Sequence, residues 1–423
     1  MNIFRTDRDY ALELDSQDEL AHFRGRFVFA EPDLIYLLGN SLGRLPEDTV
    51  DHLQSVIEEE WGRRLIRSWN DGWFDLPERV GSKMASLLGA RADEVIMADS
   101  TSVNLFKTAM AALQLRPNRR KIVTDDLNFP SDHYILQGAC RLAGPAYQLQ
   151  VVPSPDGLNG SPEGLAEVID ENTALVTLSH TLFKSGYVYD MATITDLAHR
   201  AGALMLWDVS HSVGAMPLDL DGCEVDLAVG CSYKYVNGGP GGPAFIYARR
   251  DHHETLSNLV SGWMGQKNPF EFSLGYEPTP GMRRFLTGTP PILSLAAVEA
   301  GIDLILEAGI DKVRKKSVRQ TEYLIALWEN LLAPIGFRLK TPRQPERRGS
   351  HITIGHDEGL RIDRYLVEHM QVLTDFRPPD NIRLGIAPLY NSFADINTAI
   401  TRMRSVVEDG LYLDYKLQTM VVT

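Results

Sequence analysis

Short apolar runs alternate with amphipathic stretches along the first part of the chain. They lie at residues 94–98 (EVIMA), 121–124 (KIVT), 174–178 (ALVTL), 203–207 (ALMLW), 225–230 (VDLAVG) and 244–247 (AFIY). Short apolar runs separated by helical patterns are typical of buried parallel strands joined by crossover helices. The last two runs lie close together, so we expect the sixth strand to return antiparallel. The pattern predicts an α/β fold with a mainly parallel, mixed sheet and helices on both of its faces.

Helical periodicity surrounds and follows these runs. It predicts helices over residues 46–66, 103–115, 191–200, 292–307 and 310–332, then a strand at 350–354 and a helix from residue 362. We therefore expect an N-terminal segment (1–60) that packs with a smaller α+β C-terminal domain (311–423), and a large domain (61–310) between them. A chain of 423 residues is also longer than one hydrophobic core usually supports.

Composition and charge narrow the classes of function. The formal net charge is -14, which disfavours binding to a phosphate backbone, so we expect no nucleic-acid partner. The three cysteines, Cys140, Cys223 and Cys231, are not paired in spacing, as in a reducing compartment. Residues 1–15 do not resemble a secretory leader, and no apolar stretch reaches transmembrane length. We expect a cytoplasmic protein with no membrane partner.

Polar or aromatic side chains follow five of the predicted strands at their carboxyl ends. These are Thr101 and Ser102, Phe129 and Asp132, Ser179, Asp208 and His211, and Tyr233 and Lys234. Ligands of parallel sheets bind outside the carboxyl ends of the strands, so these side chains are candidates for one site. Taken singly, each has an ordinary structural explanation, such as a helix cap, a packed turn or a lysine whose ammonium reaches solvent.

Together these side chains match the requirements of pyridoxal 5'-phosphate. Thr101 and Ser102 open a helix, whose free N–H groups suit a phosphate. Phe129 suits stacking on a flat ring, and Asp208 suits a protonated ring nitrogen. An amine in a partly desolvated crevice has a lowered pKa, which would free Lys234 for imine formation and proton transfer.

Two other motifs are weaker candidates. Residues 249–256 (RRDHHETL) lack the spacing of a zinc motif, so we expect no metal site. Residues 237–242 (NGGPGG) lack the Gly-Lys-Ser/Thr of a nucleotide-binding phosphate loop, and they are better interpreted as a turn that passes close to the lysine.

Ten motifs, in order, resemble those of the kynureninase family. They are LLGNSLG (37–43), EEWG (59–62), IRSWN (66–70), DSTSVNLFK (99–107), NFPSD (128–132), WDVSHSVGA (207–215), GCSYKYVNGGPG (230–241), SGW (261–263), RGSHITI (348–354) and IRLGIAPLY (382–390). The resemblance implies a fold-type I pyridoxal-phosphate enzyme whose large domain binds the cofactor. It also implies a homodimer with shared active sites that hydrolyses the Cβ–Cγ bond of L-kynurenine to anthranilate and L-alanine. That reaction belongs to tryptophan catabolism, on the kynurenine pathway to NAD biosynthesis.

The resemblance also implies a role for each matching residue. Lys234 would bind the cofactor and carry the reacting proton, Asp208 would hold the pyridine nitrogen, and Tyr233 is the hypothetical proton donor to the alanine-side carbanion. The cofactor shell would comprise Thr101, Ser102, Phe129, Asp132, Ser179, Asp208, His211, Tyr233 and Lys234, with Trp263 and Thr289 from the neighbouring subunit. The substrate would contact Asn40, Ser41, Trp69, Thr289 and Arg383, and the Arg383 guanidinium would pair bidentately with the α-carboxylate.

The resemblance also implies a preference between two substrates. Trp69 and Thr289 resemble the bacterial form that prefers unhydroxylated kynurenine, so 3-hydroxykynurenine is expected to be a poorer substrate. Leu38 departs from some bacterial members, which have Asp there, and we make no prediction from this difference. Four alternatives remain: a hydrolase of ring-modified kynurenine in a biosynthetic pathway, an aminotransferase, a lyase, and a non-catalytic cofactor-binding protein. A cysteine desulfurase is disfavoured because no cysteine follows Cys231.

Overall fold

The computed structural model describes residues 4–416, which form a central sheet of seven strands, a smaller sheet of four strands and a third sheet of two short strands. Residues 1–3 and 417–423, the ends of the predicted N-terminal segment and C-terminal domain, lie outside the described residues. The strands are β1 (Ile35–Tyr36), β2 (Val95–Ala98), β3 (Lys121–Asp125), β4 (Gln148–Val152), β5 (Thr173–Ser179), β6 (Leu204–Asp208), β7 (Leu227–Gly230), β8 (Ala244–Ala248), β9 (Arg338–Leu339), β10 (His351–Gly355), β11 (Val372–Leu373), β12 (Asp375–Arg377) and β13 (Asn381–Gly385). The α-helices are α1 (Arg8–Ser16), α2 (Glu47–Ser55), α3 (Leu76–Leu88), α4 (Thr101–Leu115), α5 (Pro130–Ala143), α6 (Pro162–Val168), α7 (Met191–Arg200), α8 (Ile292–Ala308), α9 (Ile310–Leu327), α10 (Gly359–His369) and α11 (Phe393–Glu408).

The central sheet confirms the predicted mainly parallel, mixed arrangement. Its strand order is β2-β8-β7-β6-β5-β3-β4. Strand β8 is antiparallel to both of its neighbours, as expected for the sixth apolar run. The remaining neighbouring pairs are parallel, so their carboxyl ends meet at one edge of the sheet.

Both faces of this sheet are covered by helices. Side chains alternate between the two faces of a strand. In β6, Met205 and Trp207 enter the apolar cluster that contains residues of α3, α7 and α8, whereas Leu204 and Leu206 enter the cluster built with α4 and α5. Because both faces are buried, the central strands appear in the sequence as unbroken apolar runs.

Strand β4 was not predicted from the sequence. It lies at the edge of the central sheet, beside β3, and its residues Gln148–Val152 alternate between exposed and partly buried positions until Val152. An edge strand with one solvated face does not need a continuous apolar run, which explains why the apolar pattern misses it.

The smaller sheet is antiparallel, with the order β12-β13-β10-β9. A third apolar cluster joins this sheet to α9, α10 and α11, and it also contains Ala11 and Leu14 of α1 and Ile35 of β1. Helix α2, in contrast, packs against α8. The predicted domain boundaries stay a prediction.

Two predicted helices are wrong at their C-terminal ends, because each α-helix ends earlier than predicted. In the segment predicted at 46–66, α2 ends at Ser55 and the chain continues as a π-helix (Val56–Arg64) and a 3-10 helix (Leu65–Trp69), where Leu65 has a φ of 55° that no α-helix accommodates. In the segment predicted at 310–332, α9 ends at Leu327 and a π-helical turn (Trp328–Leu332) precedes Pro334, which cannot continue a helix. Within residues 4–416, no helix combines the length and apolarity needed to cross a membrane.

Candidate active site

A cavity of about 850 Å³ lies at the carboxyl edge of the central sheet. Strands β6 and β7, helix α4 and helix α5 end or begin at its wall, and Arg377 and Arg383 of the smaller sheet also face it. The predicted site residues that line it are Asn40, Ser41, Thr101, Ser102, Phe129, Asp132, Asp208, His211, Tyr233, Lys234, Thr289 and Arg383. The structure therefore brings together most of the side chains that the sequence singled out.

Lys234 lies on the loop that follows β7. Its carbonyl oxygen accepts a hydrogen bond from Asn237 N at 2.9 Å, and the Tyr233 carbonyl accepts one from Gly43 N at 2.7 Å. Its Nζ lies 3.2 Å from Nε2 of His211 and 6.0 Å from the centroid of the Phe129 ring. Backbone contacts on both sides of the lysine thus hold a primary amine beside an imidazole and an aromatic face.

The glycine-rich turn after Lys234 serves this loop. Gly239 has a φ of 79°, a conformation that favours glycine, and the turn returns the chain into antiparallel β8. Gly43 approaches the same loop so closely that a Cβ there would collide with the Lys234 carbonyl oxygen and lie 2.7 Å from Cα of Asn237. The segment at 37–43 therefore packs directly against the backbone of the loop that carries Lys234.

The N-terminus of α4 opens onto the cavity. Ser100 caps the helix by accepting a hydrogen bond from Val103 N, and Thr101 and Ser102 are its first two residues. The first N–H groups of a helix have no partner within the helix, and the helix dipole favours an anion there. Thr101 and Ser102 add two hydroxyl groups, so this end of the cavity suits a phosphate.

One carboxylate at this end is balanced by a buried lysine. Asp99 lines the cavity, and its carboxylate pairs with the Lys107 ammonium. Lys107 is fully buried, and its Nζ also donates to the carbonyl of Phe285 at 2.8 Å. Because Lys107 offsets the charge of Asp99, the carboxylate does not oppose an anion at the start of α4.

Two carboxyl groups face each other deeper in the cavity. Asp208 ends β6, and its Oδ1 accepts from Ser210 N at 2.7 Å. Asp132 lies in the first turn of α5 and is buried, and its Oδ2 has no hydrogen-bond partner among the described residues. Burial and the neighbouring Asp208 raise the pKa of Asp132 well above its usual range. A protonated ring nitrogen carries a positive charge, and two neighbouring buried carboxyl groups are suited to bind it.

His211 is a neutral imidazole. It is buried, and burial together with the positive charges of Lys234 and Arg383 lowers its pKa well below the usual value. The neighbouring His351 also contributes, since the two ring centroids are 5.8 Å apart. A neutral His211 can accept a hydrogen bond from the Lys234 ammonium without repelling it.

Arg383 is held from several sides. Its Nε donates to Oδ1 of Asp375 at 2.6 Å, its Nη1 donates to the carbonyl of Phe183 at 2.7 Å, and its Nη2 donates to Oγ of Ser41 at 3.2 Å. Nη2 also donates to Oδ2 of Asp375. The guanidinium is thereby fixed at the cavity wall, as a group that recognises a carboxylate should be.

Three predicted residues do not line the cavity. Ser179 is buried at the end of β5, where its Oγ donates to Oδ1 of Asn128, next to Phe129. Trp69 packs edge-on against Trp73. Trp263 is 44% exposed and has Phe270 as an edge-on neighbour, whereas Thr289, also predicted to act in a neighbouring subunit, lines the cavity of its own chain.

Asp375 and Arg377 lie at the site but were not predicted from the sequence. The signal was present as an Asp-x-Arg alternation at residues 375–377, which places both side chains on one face of a strand. That signal is weak, because nothing in it predicts that the strand lies beside Arg383. Across residues 4–416 no group of three or more His, Cys, Asp or Glu side chains is arranged to hold a metal ion.

Comparison with protein families matches residues 35–367 to the aminotransferase class-V family. A kynureninase from Pseudomonas fluorescens is 42% identical over 418 residues, which cover 98% of each chain. A kynureninase from Burkholderia mallei (strain SAVP1) is 41% identical over 406 residues, or 95% of each chain. These relatives extend over nearly the whole chain, so both the central sheet and the smaller sheet take part in the match.

Several solved structures have a similar fold, among them a cysteine desulfurase and a C-DES mutant. The cysteine desulfurase CsdA from Escherichia coli superposes with a TM-score of 0.79 at 17% identity, covering 92% of this chain and 98% of its own. A C-DES mutant with glycine covalently linked to the PLP cofactor gives a TM-score of 0.76 at 20% identity, covering 88% and 97%. At these identities the likeness shows the fold alone.

Proposed function

The chain belongs to the kynureninase family within the class-V aminotransferases, and from this premise we propose that the cavity at the sheet edge is its active site. The protein is a hydrolase of carbon-carbon bonds in ketonic substances. With pyridoxal 5'-phosphate, it converts L-kynurenine and water to anthranilate and L-alanine. The observation that supports this site is the convergence of Lys234, Asp208 and Arg383 on one cavity of about 850 Å³.

The residues of the cavity fit the cofactor. The start of α4, with Thr101 and Ser102, would bind the phosphate. Asp208 and the Asp132 oxygen that has no partner among the described residues would hold the protonated ring nitrogen. Phe129 would stack on the ring, and Lys234 would make the covalent link. Bound there, pyridoxal phosphate supplies an electron sink for the negative charge that develops at Cα of the substrate.

The protein groups around the substrate move protons and fix its orientation. Arg383 would bind the α-carboxylate, so that Cα faces the amine of Lys234, which takes and returns the Cα proton. His211 stays neutral beside Lys234 and would accept a hydrogen bond from its ammonium form. Water adds to the γ-carbonyl of the substrate, and the Cβ–Cγ bond then breaks with release of anthranilate.

Tyr233 would complete the reaction by protonating Cβ. The interaction with the neighbouring Cys231 and burial raise the pKa of Tyr233, so its phenol stays protonated near neutral pH. A protonated phenol at the cavity wall is suited to donate a proton to the alanine-side carbon.

The protein would act as a homodimer with shared active sites. The segment around Trp263 exposes large apolar side chains, with Phe270 65%, Phe272 78% and Leu274 fully exposed. Exposed apolar side chains clustered in this way are typical of interaction surfaces. This supports a second copy of the chain as the partner, with Trp263 contributing to the neighbouring site.

Two further expectations belong to the proposal. The substrate preference would be L-kynurenine over 3-hydroxykynurenine, with Thr289 at the cavity wall as the residue that contacts the aryl ring. The protein would act in the cytoplasm, in tryptophan catabolism. The division into a large domain (61–310) and a smaller one (311–423), with the N-terminal segment against the latter, is proposed with it.

The test measures both products. Purified protein with pyridoxal phosphate is incubated with L-kynurenine or 3-hydroxy-L-kynurenine, and alanine and the aryl acid are quantified. We expect equimolar alanine and anthranilate, formed faster than the hydroxylated product, and loss of both in Lys234→Ala. Lys312→Ala, at a surface lysine of α9, is the matched control and should behave as the unmodified protein. A protein that binds the cofactor and forms no alanine from either substrate would contradict the proposal.

A further inference from the structure

Three charged side chains of the smaller sheet share one face beside the cavity. Asp375 and Arg377 are two residues apart in β12, so their side chains point to the same side of the strand. Asp375 is directly opposite Arg383 in the antiparallel pair of β12 and β13. Side chains that are directly opposite on antiparallel strands are close neighbours, so the strand register itself brings Asp375 between the two arginines.

Arg383 has few donors left for a substrate. An arginine has five N–H groups. Four of those of Arg383 are engaged: the Nε–H and one Nη2–H by Asp375, one Nη1–H by the carbonyl of Phe183, and the second Nη2–H by Ser41. A carboxylate bound in the usual bidentate manner needs two donors. Arg383 alone offers it one free N–H group.

Arg377 has the donors that Arg383 lacks. Its Nη2 donates to Oδ2 of Asp375 at 2.9 Å. Its Nη1 donates to the carbonyl oxygen of Phe376, the preceding residue in the chain, at 2.8 Å. The remaining N–H groups have no partner among the described residues. Arg377 lines the cavity, and its side chain is 32% exposed, whereas that of Arg383 is 3% exposed.

The net charge of Asp375, Arg377 and Arg383 also favours an anionic ligand. Asp375 is fully buried, and although burial raises its pKa, the hydrogen bonds and positive charges of Arg383 and Arg377 outweigh this and keep the pKa low. One ionised carboxylate therefore faces two guanidinium groups, so these three side chains together carry one positive charge in excess. The next acidic group is the buried Asp363, whose pKa burial raises to about 6. A single carboxylate from a ligand would neutralise the excess charge.

We propose that Arg377 is a second substrate-binding residue, which donates with Arg383 to the α-carboxylate of the amino-acid substrate, while Asp375 positions both guanidinium groups. The Nη2 atoms of the two arginines donate to the same oxygen of Asp375, so they lie within two hydrogen-bond lengths of each other. One ligand carboxylate can accept from both at that spacing. The inference rests on the proposed function, because it assumes an α-amino-acid substrate in this cavity.

The test compares a ligand with the carboxylate and one without it. KM for L-kynurenine and the inhibition constant of kynuramine, which is kynurenine lacking its α-carboxylate, are measured for the holoenzyme and for Arg377→Gln. A charged hydrogen bond lost from the substrate should raise KM by about tenfold to a hundredfold. The inhibition constant of kynuramine should stay within about twofold, since kynuramine makes no contact with the guanidinium.

A conservative variant and a matched control separate binding from structure. Arg377→Lys keeps a cation and should recover part of the affinity for L-kynurenine. Arg361→Gln makes the same change on α10, where the guanidinium lies 3.5 Å from Glu358 and away from the cavity, and should change neither constant. Equal weakening of L-kynurenine and kynuramine in Arg377→Gln would assign a structural role to Arg377 and overturn the inference.

The same measurements distinguish this inference from the proposed function. If the unmodified holoenzyme forms no alanine from L-kynurenine, the proposed function fails. If it forms alanine and Arg377→Gln leaves KM unchanged, only the role of Arg377 fails.

Discussion

The centroid of the Tyr233 ring lies 6.0 Å from Nζ of Lys234. The interaction with the neighbouring Cys231 and burial raise the pKa of Tyr233, so its hydroxyl stays protonated. Tyr233→Phe removes this proton donor and keeps the ring. We expect alanine formation from L-kynurenine to slow by about a hundredfold or more, the usual size of a general-acid contribution. Single-turnover measurement of alanine tests this. Tyr134→Phe, at a ring that is 67% exposed, is the control.

Retention of the full rate of alanine formation in Tyr233→Phe would remove Tyr233 from the mechanism. A loss of cofactor binding in the same variant would instead indicate that the hydroxyl holds the cofactor. The absorption spectrum of the bound cofactor separates these two results, because it reports occupancy without turnover.

Individual site residues were predictable to different degrees. Lys234, Asp208 and His211 follow buried strands, so their position at a common edge follows from the parallel sheet alone. Arg383 was placed by resemblance, and Asp375 and Arg377 were missed, because their proximity depends on the register of two strands that the sequence does not reveal.

At the scale of elements, the segment at 37–43 packs closely against the lysine loop. Gly43→Ala adds a Cβ that would collide with the Lys234 carbonyl oxygen. We expect a loss of stability of about 1–3 kcal/mol, as for other overpacked sites, together with slower alanine formation because the lysine loop must shift. Urea unfolding and the rate of alanine formation measure the two effects.

Gly25→Ala is the matched control for this change. Gly25 lies in a 3-10 helix (Ala21–Arg26), and a Cβ built there meets no atom within 4 Å. Its stability should change by less than about 0.5 kcal/mol, and its activity should be retained. Equal effects of the two substitutions would show that the close approach of Gly43 to the lysine loop has no importance for the site.

The elements themselves show what an apolar pattern can and cannot reveal. Strands β5, β6 and β7 are buried on both faces, so each appears as an unbroken apolar run. Strand β4 alternates and was missed, and α2 was predicted too long because the apolar stripe continues through the π-helix that follows it. Periodicity detects a helical stretch, but it does not distinguish an α-helix from a π-helix.

At the scale of the whole molecule, the chain shares its fold with cysteine desulfurases at 17–18% identity. The common element is the fold, with its mainly parallel central sheet. We infer that the chemistry is set by the side chains at the carboxyl edge of this sheet and by those that the smaller sheet presents to the cavity, here Arg377 and Arg383. Fold and reaction are therefore separate conclusions, each with its own observations.

Sharing of the active site between subunits is testable by mixing two inactive variants. Trp263 does not line the cavity of its own chain, and it lies in the exposed apolar segment proposed as the dimer interface. If Trp263 serves the neighbouring site, Trp263→Ala and Lys234→Ala should each be inactive. Unfolded and refolded together, or coexpressed, they form mixed dimers in which one site has both residues intact.

Random mixing of the two variants makes about half of the dimers mixed, so activity should recover to about a quarter of the unmodified level. Mixing Lys234→Ala with Tyr233→Phe is the control, because both residues lie on the same loop and line one cavity. In a mixed dimer of that control pair, each site takes both residues from one chain, so each site still carries one of the two substitutions. The activity should therefore not exceed that of Tyr233→Phe. Absence of recovery with Trp263→Ala, in dimers verified by size-exclusion chromatography, would place the complete active site within a single chain.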